Sequence, residues 1–195
     1  MKKLFLLFFL SPFFAVADVY LPAIFSSNMV LQQQSNVTVW GWAQPGEKVT
    51  VSGSWQSETV SVVTNENAVW KLTIVTPKAG GGPYTLTIQG RNRIVLENVL
   101  MGEVWLCAGQ SNMEGGGRIE EHDRIVDSRF RVLADFDVPN REWKKGQWYD
   151  AIPPLTRRTR GISLVDSFGK TMTANLPKNI RVGVVKVGVS GTKIE

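Results

Sequence analysis

The chain has 195 residues, 43% hydrophobic and 20% charged, with a formal net charge of +5. These proportions exclude a disordered or collagen-like polypeptide, and the length allows one or two domains. The basic residues gather at 141–145 and 157–160, and a solvated loop is expected there rather than a nucleic-acid partner.

The N-terminus carries a short basic region, Met1-Lys2-Lys3, then an apolar core from Leu4 to Leu10 and the small-x-small triplet Ala15-Val16-Ala17. That three-part pattern predicts a secretory signal peptide over residues 1–17, cleaved between Ala17 and Asp18. Its core is too short to span a bilayer, and no later stretch is long and apolar enough, so no stable membrane insertion is expected. The expected location is the periplasm or the cell exterior. Cys107 is the only cysteine, so the chain has no internal disulfide. Its place in an apolar run predicts a buried small hydrophobe rather than a reactive thiol.

Residues 18–98 read as β throughout. Val37–Trp42, Lys48–Ser52 and Thr59–Val63 alternate in period two, and Ala68–Ile74, Tyr84–Gln89 and Ile94–Leu96 follow, each bounded by turn residues. Gly90-Arg91-Asn92 reads as a tight hairpin. This predicts a small all-β antiparallel sandwich. Its tryptophans, Trp40, Trp42, Trp55 and Trp70, are expected in the core rather than stacked on sugars.

From residue 99 the composition shifts, and residues 99–195 read as part of an α/β domain. Val104–Ala108 is an apolar run expected as a buried strand. Arg118–Asp127 is a possible short helix, Phe130–Phe136 a strand, and Val138–Arg160 a long, ordered loop. Ser163–Asn175 reads as a helix with Leu164, Val165, Phe168 and Met172 on one face, closed by Pro177. Ile180–Val187 is a buried strand, followed by Ser190-Gly191-Thr192. In such folds, sites lie at the carboxyl ends of the strands. Ser111 follows one strand end and Gly191 another, so neighbouring strands would bring both turns to one crevice.

Ser111 is the candidate nucleophile, since a strand fixes its position and the free N–H groups of the following turn suit a developing oxyanion. Gly109-x-Ser111-x-Met113 is not the G-x-S-x-G elbow, because methionine stands in the last glycine position. On spacing alone a helix-capping serine is the better reading.

The stretch Gly102-Glu-Val-Trp-Leu-Cys-Ala-Gly-Gln-Ser-Asn-Met113 resembles the first block of the sialate O-acetylesterase family, related to the acetylxylan esterases of the SGNH hydrolases. Lys145-Gly-Gln-Trp-Tyr149, Ala151-Ile-Pro-Pro-Leu155 and Phe168–Pro177 resemble its acetylxylan-esterase-like branch. Asn28-Met-Val-Leu-Gln32 and Val39–Val49 resemble the β-sandwich preceding the catalytic domain in the sialate branch. The resemblance implies an SGNH-like, flavodoxin-like three-layer domain, incomplete in this chain, and an esterase that removes O-acetyl groups from sugars through a serine acyl-enzyme, without metal or cofactor. Its substrate would be an O-acetylated glycan or sialic acid. Ser111 would be the nucleophile, with the Ser111 and Gly191 N–H groups, and Gln110, as oxyanion-hole candidates. Ser190 departs from the Gly-Gly-Thr usual in the family.

A serine nucleophile needs a base, and His122 is the only histidine. The family draws its histidine from an Asp-x-x-His block, which has no counterpart here, and His122 sits in a charged run that reads as surface. Asp123, Asp127, Asp135 and Asp137 are available carboxylates, but none has a histidine at the motif spacing. The expectation is a fragment that holds the nucleophile but not the Asp/His block and has little activity alone. One cysteine and one histidine argue against structural zinc. The competing reading is a non-catalytic carbohydrate-binding or scaffold protein with a degenerate hydrolase half.

Overall fold

The computed structural model describes residues 18–121, 127–133, 146–152, 155, 161–188 and 191. The expected signal peptide, both basic clusters, His122, Asp123, Asp135, Asp137, Ser190 and Thr192 lie outside the described residues.

The N-terminal strands follow the period-two pattern. They are β1 (Val30–Gln32), β2 (Asn36–Trp42), β3 (Lys48–Gly53), β4 (Thr59–Val63), β5 (Val69–Val75) and β6 (Tyr84–Gln89). β2 and β5 pair antiparallel as a separate two-stranded sheet, while β3 lies between β4 and β6. Alternation decides what is inside: Trp70, Leu72 and Ile74 of β5 share one core with Val49 and Val51 of β3 and Leu86 and Ile88 of β6. Trp70 is fully buried, Trp40 meets Phe25 edge-on at 4.6 Å, and the Trp55 indole N–H donates to the Val75 carbonyl at 2.9 Å. Three of the four tryptophans thus have structural duties, and Trp42 remains half-exposed against Tyr20.

The strands expected at Ile94–Leu96 and Val104–Ala108 are one continuous strand, β7 (Arg93–Gly109). Its first part is antiparallel to β6, and its second part is parallel to β1 and β10 (Arg181–Gly188). The change of partner happens at a bulge. The β6–β7 register slips between Tyr84 and Leu86, and Asn98 takes a φ of 55°. Arg131, buried on β8 (Phe130–Leu133), holds this bend: its Nη1 donates to the carbonyls of Asn28 and Asn98, each at 2.9 Å. Beside it, Glu103 accepts from the side chains of Gln32 and Gln33, and Gln32 Oε1 accepts from the Val104 N–H. The whole assembly is a mixed sheet in the order β4-β3-β6-β7-β10-β8-β9, where β9 is Trp148–Asp150, with β1 also on β7.

β9 (Trp148–Asp150) lies within the segment expected as irregular loop and pairs antiparallel with β8. Of the possible helix at Arg118–Asp127, Arg118–Glu120 are not helical and Glu121 is in a 3-10 conformation, while residues 122–126 lie outside the described residues. The apolar run of β7 is less buried than expected, with Trp105 and Leu106 exposed and Cys107 half-buried. Trp105 leans edge-on against Phe168, whereas 70% of the Leu106 surface is open.

Helix α2 (Leu164–Asn175) starts one residue later than expected, with Ser163 as its cap. The buried Asp166 carboxylate accepts from the Ser163 N–H at 2.7 Å and from its hydroxyl at 2.8 Å. The inward stripe is Val165, Gly169 and Thr173, flanked by half-buried Phe168 and Met172. Leu164 points elsewhere, because one residue back along a helix rotates the side chain by roughly 100° from that stripe. A second core joins this face to Phe130, Val132, Val182 and Val184. At the far end of α2, Arg129 donates to the Thr173 carbonyl at 2.6 Å and pairs with Asp127 at the same distance.

Two outcomes follow. A methyl group on Gly169 would run into the Phe130 ring, so Gly169→Ala should destabilise by about 1–3 kcal/mol in urea unfolding. The Arg129 guanidinium beside Asp127 holds its carboxyl below the ordinary value of 3.8. A lowered folded value stabilises at neutral pH and is lost as the pH falls through that range. Asp127→Asn should therefore reduce stability at pH 7 and cost progressively less in unfolding curves taken toward pH 3.

Candidate active site

β7 ends at Gly109, and Ser111 opens a single helical turn, α1 (Ser111–Glu114), two residues later. Gln110 caps it: its carbonyl accepts from Met113 at 3.0 Å and Glu114 at 2.8 Å. Three glycines follow, the composition least able to continue a helix, and Gly115, at φ 95°, turns the chain away. The glycine run is then strapped to the segment before α2. The N–H groups of Gly116 and Gly117 share the Ile162 carbonyl at 3.1 Å, and Ile162 donates back to the Gly117 carbonyl at 2.9 Å.

Two more glycines set how low the turn sits. β10 runs parallel to β7 with Gly188 opposite Gly109, so the expected adjacency of the two strand ends is present. A Cβ on Gly188 would lie 2.6 Å from the Glu114 nitrogen, and one on Gly109 would lie 3.0 Å from the Met113 Cβ. The first is excluded by ordinary contact distances and the second would require Met113 to shift, so the bare strand ends form the bed of α1.

Beneath the turn lies a lysine that the sequence reading passed over. Lys186, 1% exposed on β10, donates from Nζ to the Glu114 carbonyl at 3.1 Å and to the Leu155 carbonyl. A cation at the carboxyl end of the turn meets carbonyls that lack helical partners. The signal was available: a lysine inside the apolar run Val182–Val187 needs buried acceptors.

Above α1 is a cleft of about 520 Å³, with Ser111, Asn112 and Gly115–Gly117 on one side and Ile162, Ser163, Leu164 and Ser167 on the other. Ser111 is exposed to it, and its hydroxyl makes no hydrogen bond among the described residues. Gln110 is exposed but outside this lining. Gly191 also lies outside the lining, three residues past Gly188, exposed with a φ of 79°. Of the other reactive groups, Cys107 packs against the second core, and burial pushes its thiol up, away from the thiolate form. Asp127 is engaged by Arg129.

Residues 101–195 match the family described as carbohydrate esterase, sialic acid-specific acetylesterase. The sialate O-acetylesterase of Mus musculus is 38% identical over 96 aligned residues, covering 44% of this chain and 18% of that protein. That of Homo sapiens is 33% identical over 99 residues, covering 46% and 19%. The chain therefore spans about a fifth of the length of the curated relatives it matches. A crystal structure of a carbohydrate acetylesterase from Xanthomonas citri superposes with a TM-score of 0.72 at 26% identity, covering 91% of this chain and 42% of that one. Most of the mixed sheet, and not only the Ser111 segment, thus has the arrangement of a carbohydrate acetylesterase. Over residues 101–195, the chain thus matches the sialic acid-specific family of carbohydrate acetylesterases.

Proposed function

We propose that this chain carries the nucleophile of a secreted carbohydrate O-acetylesterase acting on O-acetylated sialic acid or another acetylated glycan. The observation that carries the reading is Ser111, exposed at a strand end and facing a cleft, on a segment that matches the family. In this reading residues 18–98 form a small β-sandwich, and residues 99–195 are part of an SGNH-like α/β/α domain. Residues 1–17 are a cleaved export signal.

The chemistry runs through an acyl-enzyme. The Ser111 hydroxyl attacks the acetyl carbonyl while a general base takes its proton. The sugar hydroxyl leaves as that proton returns to it, and water then releases acetate. The Ser111 N–H opens α1 and has no intrahelical acceptor, so it is free for the oxyanion. The Gly191 N–H is the second donor in this reading, and the Gln110 side chain an auxiliary one. The Asp-x-x-His block that supplies the family's base has no counterpart in these residues. The reading draws the base from outside them and assigns none to His122.

The scaffold alternative relied on tryptophans free to stack on sugar, and Trp40, Trp55 and Trp70 are held in packing or hydrogen bonds. It lacks any observation of its own.

The test uses the natural protein that contains this segment. Ser111→Ala should lower kcat on an acetylated sugar by about 10⁴-fold or more, with loss of labelling by a fluorophosphonate probe. His122→Ala should leave kcat within about twofold, since this reading gives His122 no catalytic role. Hydrolysis that survives Ser111→Ala would remove the nucleophile assignment, and hydrolysis abolished by His122→Ala would place the base in this chain after all. The 195-residue polypeptide by itself should turn over acetyl esters slowly.

A further inference from the structure

We propose that Gly116 is the floor of a pyranose-binding seat beside Ser111, and that its missing side chain sets which acetylated sugars the site accepts. The proposal rests on the esterase reading for its chemistry, but it is carried by a separate observation about the glycines.

Each neighbouring glycine has a structural reason to lack a Cβ. Gly115 sits at φ 95°, in the region side chains avoid. At Gly117 a Cβ would press on Ile162 at 3.1 Å. At Gly161, φ is 155° and a Cβ would lie 2.8 Å from the Gly116 Cα. Gly116 differs from all three. Its backbone is outside the left-handed region, and a Cβ built there would meet nothing within 4 Å. Its N–H bond to Ile162 would survive substitution, because any residue except proline supplies that donor. Neither conformation nor packing of the chain demands glycine at 116. Gly116 is exposed and lines the cleft, so a side chain added there would extend from that lining into open space.

The size and lining of that space identify the occupant. An acetyl group is only two carbons, so most of a cleft of about 520 Å³ is left for the alcohol that carries it. Ile162 and the exposed Leu164 offer an aliphatic wall, and Asn112 and Ser167 offer an amide and a hydroxyl. A pyranose has both complements, a C–H face and a rim of hydroxyls. The outward turn of Leu164, unexplained by the α2 core, then has a purpose as that wall.

The experiment compares wild type, Gly116→Ala, Gly116→Leu and Ser111→Ala in the natural protein containing this chain. Coincident thermal unfolding of the Gly116 variants with wild type establishes that they fold, as the open space around residue 116 requires. Binding of two unreactive probes, methyl β-xyloside and methyl sialoside, is titrated by ligand-observed NMR. Wild type should bind at least one, which distinguishes the two sugar sources. Gly116→Leu should weaken that binding by about tenfold or more, and Gly116→Ala by less, in line with what added methylenes do in a fitted pocket. The ratio of kcat/KM for an acetylated sugar to that for 4-nitrophenyl acetate should fall in the same order. Binding of neither probe by wild type, or unchanged affinity in Gly116→Leu, overturns the seat. Ser111→Ala should keep sugar affinity while losing hydrolysis. Should it keep both, the nucleophile assignment fails, and the binding measurements still decide the seat.

Discussion

The parallel pairing of β7 with β10 is the constraint on which the site depends. Its register places Gly109 opposite Gly188, and with no side chain on either the α1 turn can settle directly onto two strand ends. That contact fixes where Ser111 stands. The glycine strap then ties the other end of the turn to the residues that cap α2, so one hydrogen-bonded circuit runs from strand to turn to helix. The exposed Ser111 hydroxyl is thus positioned by backbone geometry and not by contacts of its own side chain.

Two buried cations close this arrangement from below, and both act on main-chain carbonyls. Arg131 gathers the carbonyls of Asn28 and Asn98 at the bend of β7, and Lys186 gathers those of Glu114 and Leu155 beneath α1. In each case irregular backbone, which cannot satisfy its own acceptors, is satisfied by a long donor from an adjacent strand. The bulge and the turn are the two places where regular pairing stops, and each has one such donor. The removal of either side chain would take one shared donor away from two main-chain carbonyls.

Much of this was legible in the sequence, for identifiable reasons. The strands of residues 36–89 were readable because each buries one face, so period-two alternation survives in the chain. Helix α2 announced itself through its apolar spacing and Ser163 cap. Ser111 was found because an apolar run ended beside it. Other features follow from tertiary partners that local pattern does not encode. β7 reads as two strands because its partner changes at Asn98, and β9 is too short to show any period. Leu164 looked like core since leucine usually is, yet the stripe that packs is centred on Val165 and Gly169. Lys186 was overlooked although a charge within a buried strand is among the more informative signals a sequence offers. The distinct status of Gly116 among its neighbours needed coordinates, because three adjacent glycines look alike until each missing Cβ is tested against its surroundings.

The order of strands in the sheet also bears on how the protein is made. β10 lies between β7 and β8, yet it follows both in the chain. During synthesis β7 and β8 leave the ribosome with the strand that joins them still unmade. The inner edge of β7, with its apolar side chains, then has no neighbour until residue 188 has emerged. A sheet assembled by late central insertion forms its longest-range contacts last, and long-range pairing is slow to close. The bed of α1 is therefore the final piece of this sheet to take shape, and the nascent chain presents a sticky strand edge between the synthesis of β7 and that of β10, the kind of surface that chaperones shield.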